Sequence, residues 1–351
     1  MLSRSASMIL HSSLVFVLTF SMSFASEPAR AQGMAPAPTS TTAPFEVTAP
    51  VVAPPVDNET AKRLASGDQP ERLNFLDIFK RIPQSLGVTA DYSFSKGAIP
   101  AYVGILASTA FLYHYDEDIL VGFKRQGRNW GMVNTDNTKS VFNIGDLEIL
   151  RLPTDAASLL YSLGDGWTHT FIAGGFLASG YLRDNNRAIN TGYEVIQGMM
   201  LSTVASQVFK RATGRQSPNQ KSEERGAWRP FPSVAAYQAR TAEYDAMPSG
   251  HIMTATMTFT VIRENYPEYD HVLLPLEVVY LAALGFGMVN NGVHWASDYP
   301  LGIGLGYVFG KGAASITKKN KEALDDTKPH STYFPTVSPD GDVLANWSYQ
   351  F

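Results

Sequence analysis

The sequence predicts an all-α protein, a helical bundle closed by a short C-terminal β-hairpin. Three observations predict it. From about residue 71, apolar stretches of helical length alternate with turn clusters. Ala, Leu, Met and Gly dominate those stretches, at the expense of strand-favouring runs. At the tail, "VLANWSYQF" puts Val343, Ala345, Trp347, Tyr349 and Phe351 on one face of a strand, behind the turn signal "SPDGD". A terminal Phe behind alternating aromatics also ends outer-membrane barrel strands. One or two strands cannot close a barrel, so a hairpin packed on the helices is the expected form.

Taken in order, the chain begins with Arg4, the apolar run "MILHSSLVFVLTFSMSFA" and small-residue cleavage options after Ala25 or Ala31. Residues 1–31 read as a signal peptide and imply export. Residues 32–70 are rich in Pro, Ala and Thr and carry little charge, the composition of a semi-extended linker that buries no core. The helical domain is expected over 71–330 and the terminal strand or hairpin over 331–351. Within the domain the main helical stretches are 98–115, 168–182, 191–211, 251–262, 271–289 and 301–316. A bilayer-spanning helix needs about 20 apolar residues. Only 271–289 approaches this, with Pro275 and Glu277 inside it. A mean hydropathy of −0.09 favours buried helices of a soluble bundle, with membrane contact at most peripheral.

The charge balance, 28 Lys plus Arg against 32 Asp plus Glu for a net of −4, offers no basic field and argues against nucleic acid as a partner. Cysteine is absent, which excludes disulfides and thiolate metal sites. An exported chain without disulfides points to the periplasm or cell envelope of a bacterium.

Three short motifs carry chemistry. "FKRATGRQSP" (209–218) ends a helix with Lys210 and enters a Gly-Arg turn. "PSGH" (248–251) opens an apolar helix. "NNGVHWASDYPLG" (290–302) holds His294 and Asp298, whose spacing of four would put them on one face of a helix, with the carboxylate fixing the imidazole tautomer. Singly each is weak, since Ser is a good N-cap and a His in an apolar helix is commonly a core residue. Their order and context make them strong together. The helix behind "PSG" is also an anion site on physical grounds, because its first N–H groups lack internal partners and face a favourable dipole.

This ordered set resembles the type 2 phosphatidic acid phosphatase and vanadium haloperoxidase superfamily, PAP2, over roughly residues 140–310. The family pattern is Lys, six residues, Arg-Pro; then Pro-Ser-Gly-His; then Ser-Arg, five residues, His, three residues, Asp. Here Ser217-Pro218 stands where the family has Arg-Pro, and Gly287-Met288 stands where it has Ser-Arg. Both motif arginines are thus replaced. The resemblance implies His294 as the nucleophile that forms a phosphoenzyme, His251 as the acid for the leaving alcohol, and Asp298 as the group orienting His294. It also implies Lys210, Ser249 and Gly250 as phosphate-binding, with no metal or other cofactor required. Arg215, two residues from the usual position on a cation-rich segment (211–240), is the best candidate to replace a lost arginine. The other cations there read as a solvated loop.

The expected function is hydrolysis of a phosphomonoester or pyrophosphate, with a lipid phosphate or small phosphorylated molecule as partner. The alternative is a weak or silent relative that binds a phosphorylated ligand in the envelope. Haloperoxidase chemistry ranks last, because the anchoring arginines matter there too.

Overall fold

The computed structural model describes residues 70–135, 137–144, 147–317, 330–337 and 343–350, so the expected signal peptide and almost all of the linker lie outside the described residues. Among the described residues ten α-helices and two hairpins follow in order. They are α1 (Asp77–Lys80), α2 (Ile82–Phe94), α3 (Ile99–Asn129), the hairpin β1 (Thr138–Ile144) and β2 (Leu147–Pro153), α4 (Ala156–Ser162), α5 (Gly166–Arg183) and α6 (Asn186–Thr213). Then come α7 (Val234–Ala239), α8 (Gly250–Asn265), α9 (Asp270–Asn290), α10 (Tyr299–Ala314) and the hairpin β3 (His330–Val337) and β4 (Val343–Gln350).

The helix starts are set by short polar side chains that satisfy otherwise unpaired N–H groups: Asp155 accepts from Ser158, Asp165 from Trp167, Asn185 from Ala188 and Ser249 from Ile252. At its end α6 is stopped by Gly214, which adopts the left-handed conformation at φ 55°. A side chain there would also strike the Arg229 carbonyl, 1.9 Å from an ideal Cβ. The chain therefore turns sharply just past Lys210.

The core that positions the site is built on α8. Ile252 and Ala255 pack with Leu112, Ile119 and Leu120 of α3, Leu281, Leu284 and Met288 of α9, and Trp295, Tyr299 and Ile303 around the start of α10. On its other side, Met257 and Val261 meet Ala173 of α5 and Val195 of α6. The closest pairing is α8 with α10, and a glycine row makes it so. Ideal Cβ atoms at Gly302, Gly306 and Gly310 would lie 2.9, 2.5 and 2.5 Å from Ser249 O, Met253 O and Thr260 Cβ. Glycine every fourth residue lets the two backbones meet and brings the loop before α10 over the first turn of α8.

The expected helices all form, most with longer bounds, while α10 is shifted two residues towards the N-terminus at the same length. The largest extension is α3, which runs through "DEDILVGFKRQGRN" to Asn129 instead of ending near 115, because its polar residues find tertiary partners: Asp116 is buried against Arg215, and Glu117 pairs with Lys221. The segment Pro267–Asn290, containing α9, is the one helical stretch among the described residues long and apolar enough to cross a membrane. Its Glu277 is tied to Arg263 at 2.9 Å. The C-terminal hairpin is present, in an antiparallel register from His330 against Gln350 to Val337 against Val343. A second antiparallel hairpin, β1–β2, was not expected from the sequence.

Candidate active site

The three motifs converge at the start of α8. Lys210 comes from the last turn of α6, Ser249 to His251 from the cap and first turn of α8, and His294 from the loop between α9 and α10. The Lys210 amine and the Ser206 hydroxyl, one turn apart on α6, lie 3.9 and 3.5 Å from the position of a Cβ on Gly250. A Cβ at Gly250 would be in van der Waals contact with both of these polar groups. The His251 and His294 rings meet edge to face, with centroids 6.1 Å apart. Tyr161, at the end of α4, covers His251 at 4.4 Å. The turn after α4 can press this closely because Gly164 has no side chain: its Cβ would lie 2.3 Å from that of His251.

Burial, reinforced by His294 and Lys210, pushes the pKa of His251 well below the ordinary histidine value. A third histidine, His169 on α5, is fully buried close by, and neither of its ring nitrogens makes a hydrogen bond. Burial lowers its pKa to about 4, against a small opposing influence of the Leu163 carbonyl.

The geometry of the third motif corrects the expected one. His294 and Asp298 do not share a helix face: His294 sits in irregular chain, and Asp298 closes a 3₁₀ turn, Ala296–Asp298. His294 Nδ1 lies 3.6 Å from Asp298 Oδ2 but 2.6 Å from the carbonyl oxygen of Ala246. A carbonyl can only accept, so Nδ1 carries the proton and donates it, and Nε2 keeps its lone pair. The direct orienter of the nucleophile candidate is thus a backbone carbonyl two residues before Pro248. Asp298 reinforces it from a greater distance.

Asp298 is occupied elsewhere. Oδ2 accepts from the Trp295 N–H at 2.8 Å and Oδ1 from Arg215 at 2.6 Å. Although burial opposes it, Arg215, His294 and the Trp295 N–H hold its carboxyl below the ordinary aspartate value. This overturns the expected role of Arg215. Its guanidinium is fully buried between Asp298 and Asp116, 2.7 Å from the latter, and donates to Ser297 and to the Arg225 carbonyl. Tyr113, Trp228 and Trp295 surround it at 5.1 to 5.3 Å. With two carboxylates and three aromatic faces as partners, it has no means of reaching a phosphate. The remaining cations of the loop are also engaged: Lys221 with Glu117, Arg225 with Glu224, Arg229 and Arg240 with Glu243, and Arg211 with Gln207.

Ser249 is likewise turned inward. Fully buried, it caps α8 and donates to the sulfur of Met288 at 3.6 Å. Its partner is the residue that stands at the second motif-arginine position. The first such position, Ser217, is buried and fixed by its N–H to the Ala242 carbonyl. Sequence reasoning missed three groups here. Asp245 binds the Lys210 amine at 3.3 Å, Tyr161 covers His251, and Asp116 anchors Arg215. Asp245 lies just upstream of "PSGH" and so left a faint signal, whereas Asp116 opens the acidic "DED" just past the apolar run 98–115 and reads as a solvated charge.

Residues 193–322 match the family model of the PAP2 superfamily. The matched segment contains Lys210, His251, His294 and Asp298, the residues brought together at α8, and its helical architecture is the one the family resemblance implies. Comparison with curated proteins and with solved structures gives no match. The match to the PAP2 superfamily suggests a phosphatase-type activity.

Proposed function

We propose that the protein is a weak phosphatase of the bacterial periplasm or cell envelope that hydrolyses a phosphomonoester through a phosphohistidine at His294. The observation that carries this reading is the bond from His294 Nδ1 to the Ala246 carbonyl, because it leaves Nε2 with the lone pair of a ring that lies 6.1 Å from that of His251. The phosphate would rest against the first N–H groups of α8 and the Lys210 amine. Nε2 attacks phosphorus, the bond to the leaving oxygen breaks, and His251 gives that oxygen its proton. Water then attacks the phosphohistidine, releasing orthophosphate and returning a proton to His251. Because His251 must be protonated for the first step and its pKa is depressed, turnover on poor leaving groups should be greatest in acid and should already fall as pH rises towards neutrality.

A lipid phosphate is the preferred substrate class, met through peripheral contact, since apolar side chains such as Val103 and Leu106 of α3 and Val204 and Val208 of α6 are exposed. The second reading, a silent binder of phosphorylated ligands, is favoured by one observation: Met288 and Ser217 stand at the arginine positions and Arg215 is sequestered. Purified full-length protein assayed against phosphomonoesters and lipid phosphates, beside His294→Ala, separates the two. Turnover that disappears in the variant supports the phosphatase. Phosphate binding without turnover in either protein supports the binder.

A further inference from the structure

The partner of Lys210 limits which phosphate the site can accept. Lys210 is the cation that the structure brings against Gly250, and its amine is bound by Asp245 at 3.3 Å. Nearby, a single guanidinium, Arg215, faces two carboxylates, Asp116 and Asp298. Each of these cations is therefore already engaged by a carboxylate, leaving no unpaired positive charge among them, and both motif arginines that would have added one are replaced. A phosphate dianion reaching the Lys210 amine must also approach the Asp245 carboxylate, and like charges a few ångströms apart disfavour one another. A positive group on the same substrate would turn that repulsion into attraction.

Asp245 is also held in place. The next residue donates its N–H to the Arg215 carbonyl at 2.9 Å and accepts from His294 Nδ1 through its own carbonyl. The backbone that carries Asp245 is therefore fixed relative to the imidazole that would attack phosphorus, while the side chain itself remains 25% exposed and bonds Lys210. The carboxylate is thus anchored at the open side of the site, the arrangement that discriminates between ligands by charge.

We infer that Asp245 is a specificity-determining residue, which selects phosphoesters that carry an ammonium or similar cation beside the phosphate and disfavours phosphates without one. The inference rests on reading the start of α8 as a phosphate site, and it deepens that reading by naming the substrate class. A site of this kind suits zwitterionic headgroup phosphates better than glycerol phosphates or free orthophosphate.

The experiment uses the full-length protein and Asp245→Asn, with ethanolamine phosphate and propyl phosphate as substrates of similar size. Calorimetric titration with inorganic phosphate serves as a readout independent of turnover. The expected result is a preference of about tenfold for ethanolamine phosphate in the parent, expressed in KM and lost in the variant, together with inorganic phosphate binding about tenfold more tightly to Asp245→Asn. Unchanged substrate preference and unchanged phosphate affinity overturn the inference. If neither substrate is hydrolysed but phosphate binds more tightly to the variant, the inference stands and the hydrolytic reading falls. If neither protein binds phosphate, both fall. Asp245→Ser, equally neutral, repeats each measurement, with circular dichroism reporting whether the variants are folded.

Discussion

Two clusters of charge meet at Asp298, and they are built on opposite principles. On one side Arg215, Asp116, Asp298 and Ser297 form a dry network in which both terminal guanidinium nitrogens are bonded and three aromatic rings exclude water. On the other, His251, His294, Lys210 and Asp245 line the first turn of α8, with His251 and Asp245 reaching solvent. The first is closed and the second is open. A buried ion pair whose terminal nitrogens are all bonded holds structure, while polar groups at a solvated helix terminus are left able to take a ligand. The difference also shows why proximity in sequence misleads. Arg215 is two residues from a ligand position yet belongs to the closed cluster, whereas Asp245, outside every motif, belongs to the open one.

The largest expected effect breaks the open cluster. His294→Ala should lower phosphatase turnover on the order of a thousandfold or more, since it removes the attacking nitrogen, while thermal unfolding changes far less. Steady-state assay beside a melting curve checks both parts, and turnover equal to the parent's would end the covalent mechanism.

Breaking the closed cluster should do the reverse. Arg215→Ala leaves Asp116 and Asp298 as adjacent unpaired buried carboxylates and should cost about 3–5 kcal/mol of stability by urea unfolding. Were Arg215 instead a ligand to phosphate, KM would rise with stability nearly unchanged, so the pair of measurements sharpens the distinction between the clusters.

The buried histidine behind the open cluster gives a pH test. His169 has a folded-state pKa lowered to about 4 by burial, against an ordinary value of 6.5. Between those values the unfolded chain binds the proton and the folded protein does not. Its contribution is therefore fully present above pH 6.5 and is lost as pH falls towards 4, on the order of 3 kcal/mol in all. His169→Leu should flatten the stability profile across that window, and comparing variant with parent cancels the titrations they share. Identical pH slopes in the two proteins would contradict the assignment.

The smallest effect belongs to the loop cations. Arg240 is an exposed partner of Glu243, so Arg240→Ala should change stability by less than about 1 kcal/mol and leave turnover unaltered. A marked loss of turnover would move this cation from the solvated loop into the open cluster.

What the sequence determined by itself was the helical architecture, the terminal hairpin and the fixed order of the motifs that carry Lys210, Gly250, His251 and His294. These follow from local signals: apolar stretches of helical length, "PSGH" at a helix start, and motifs in a fixed order. The continuation of α3 past Tyr115 and the hairpin β1–β2 were not legible, because the first depends on partners contributed by the loop at 215–225 and the second is short and flanked by polar chain. Only the tertiary structure decided what each charged group does. The glycine row of α10 carries Asp298 to α8, and there Arg215 claims the carboxylate, the Ala246 carbonyl takes the imidazole proton, and Ser249 turns to Met288. Hydrogen bonds and ion pairs form with whatever group folding brings within about 3 Å, and that distance is not encoded in the spacing of residues along the chain.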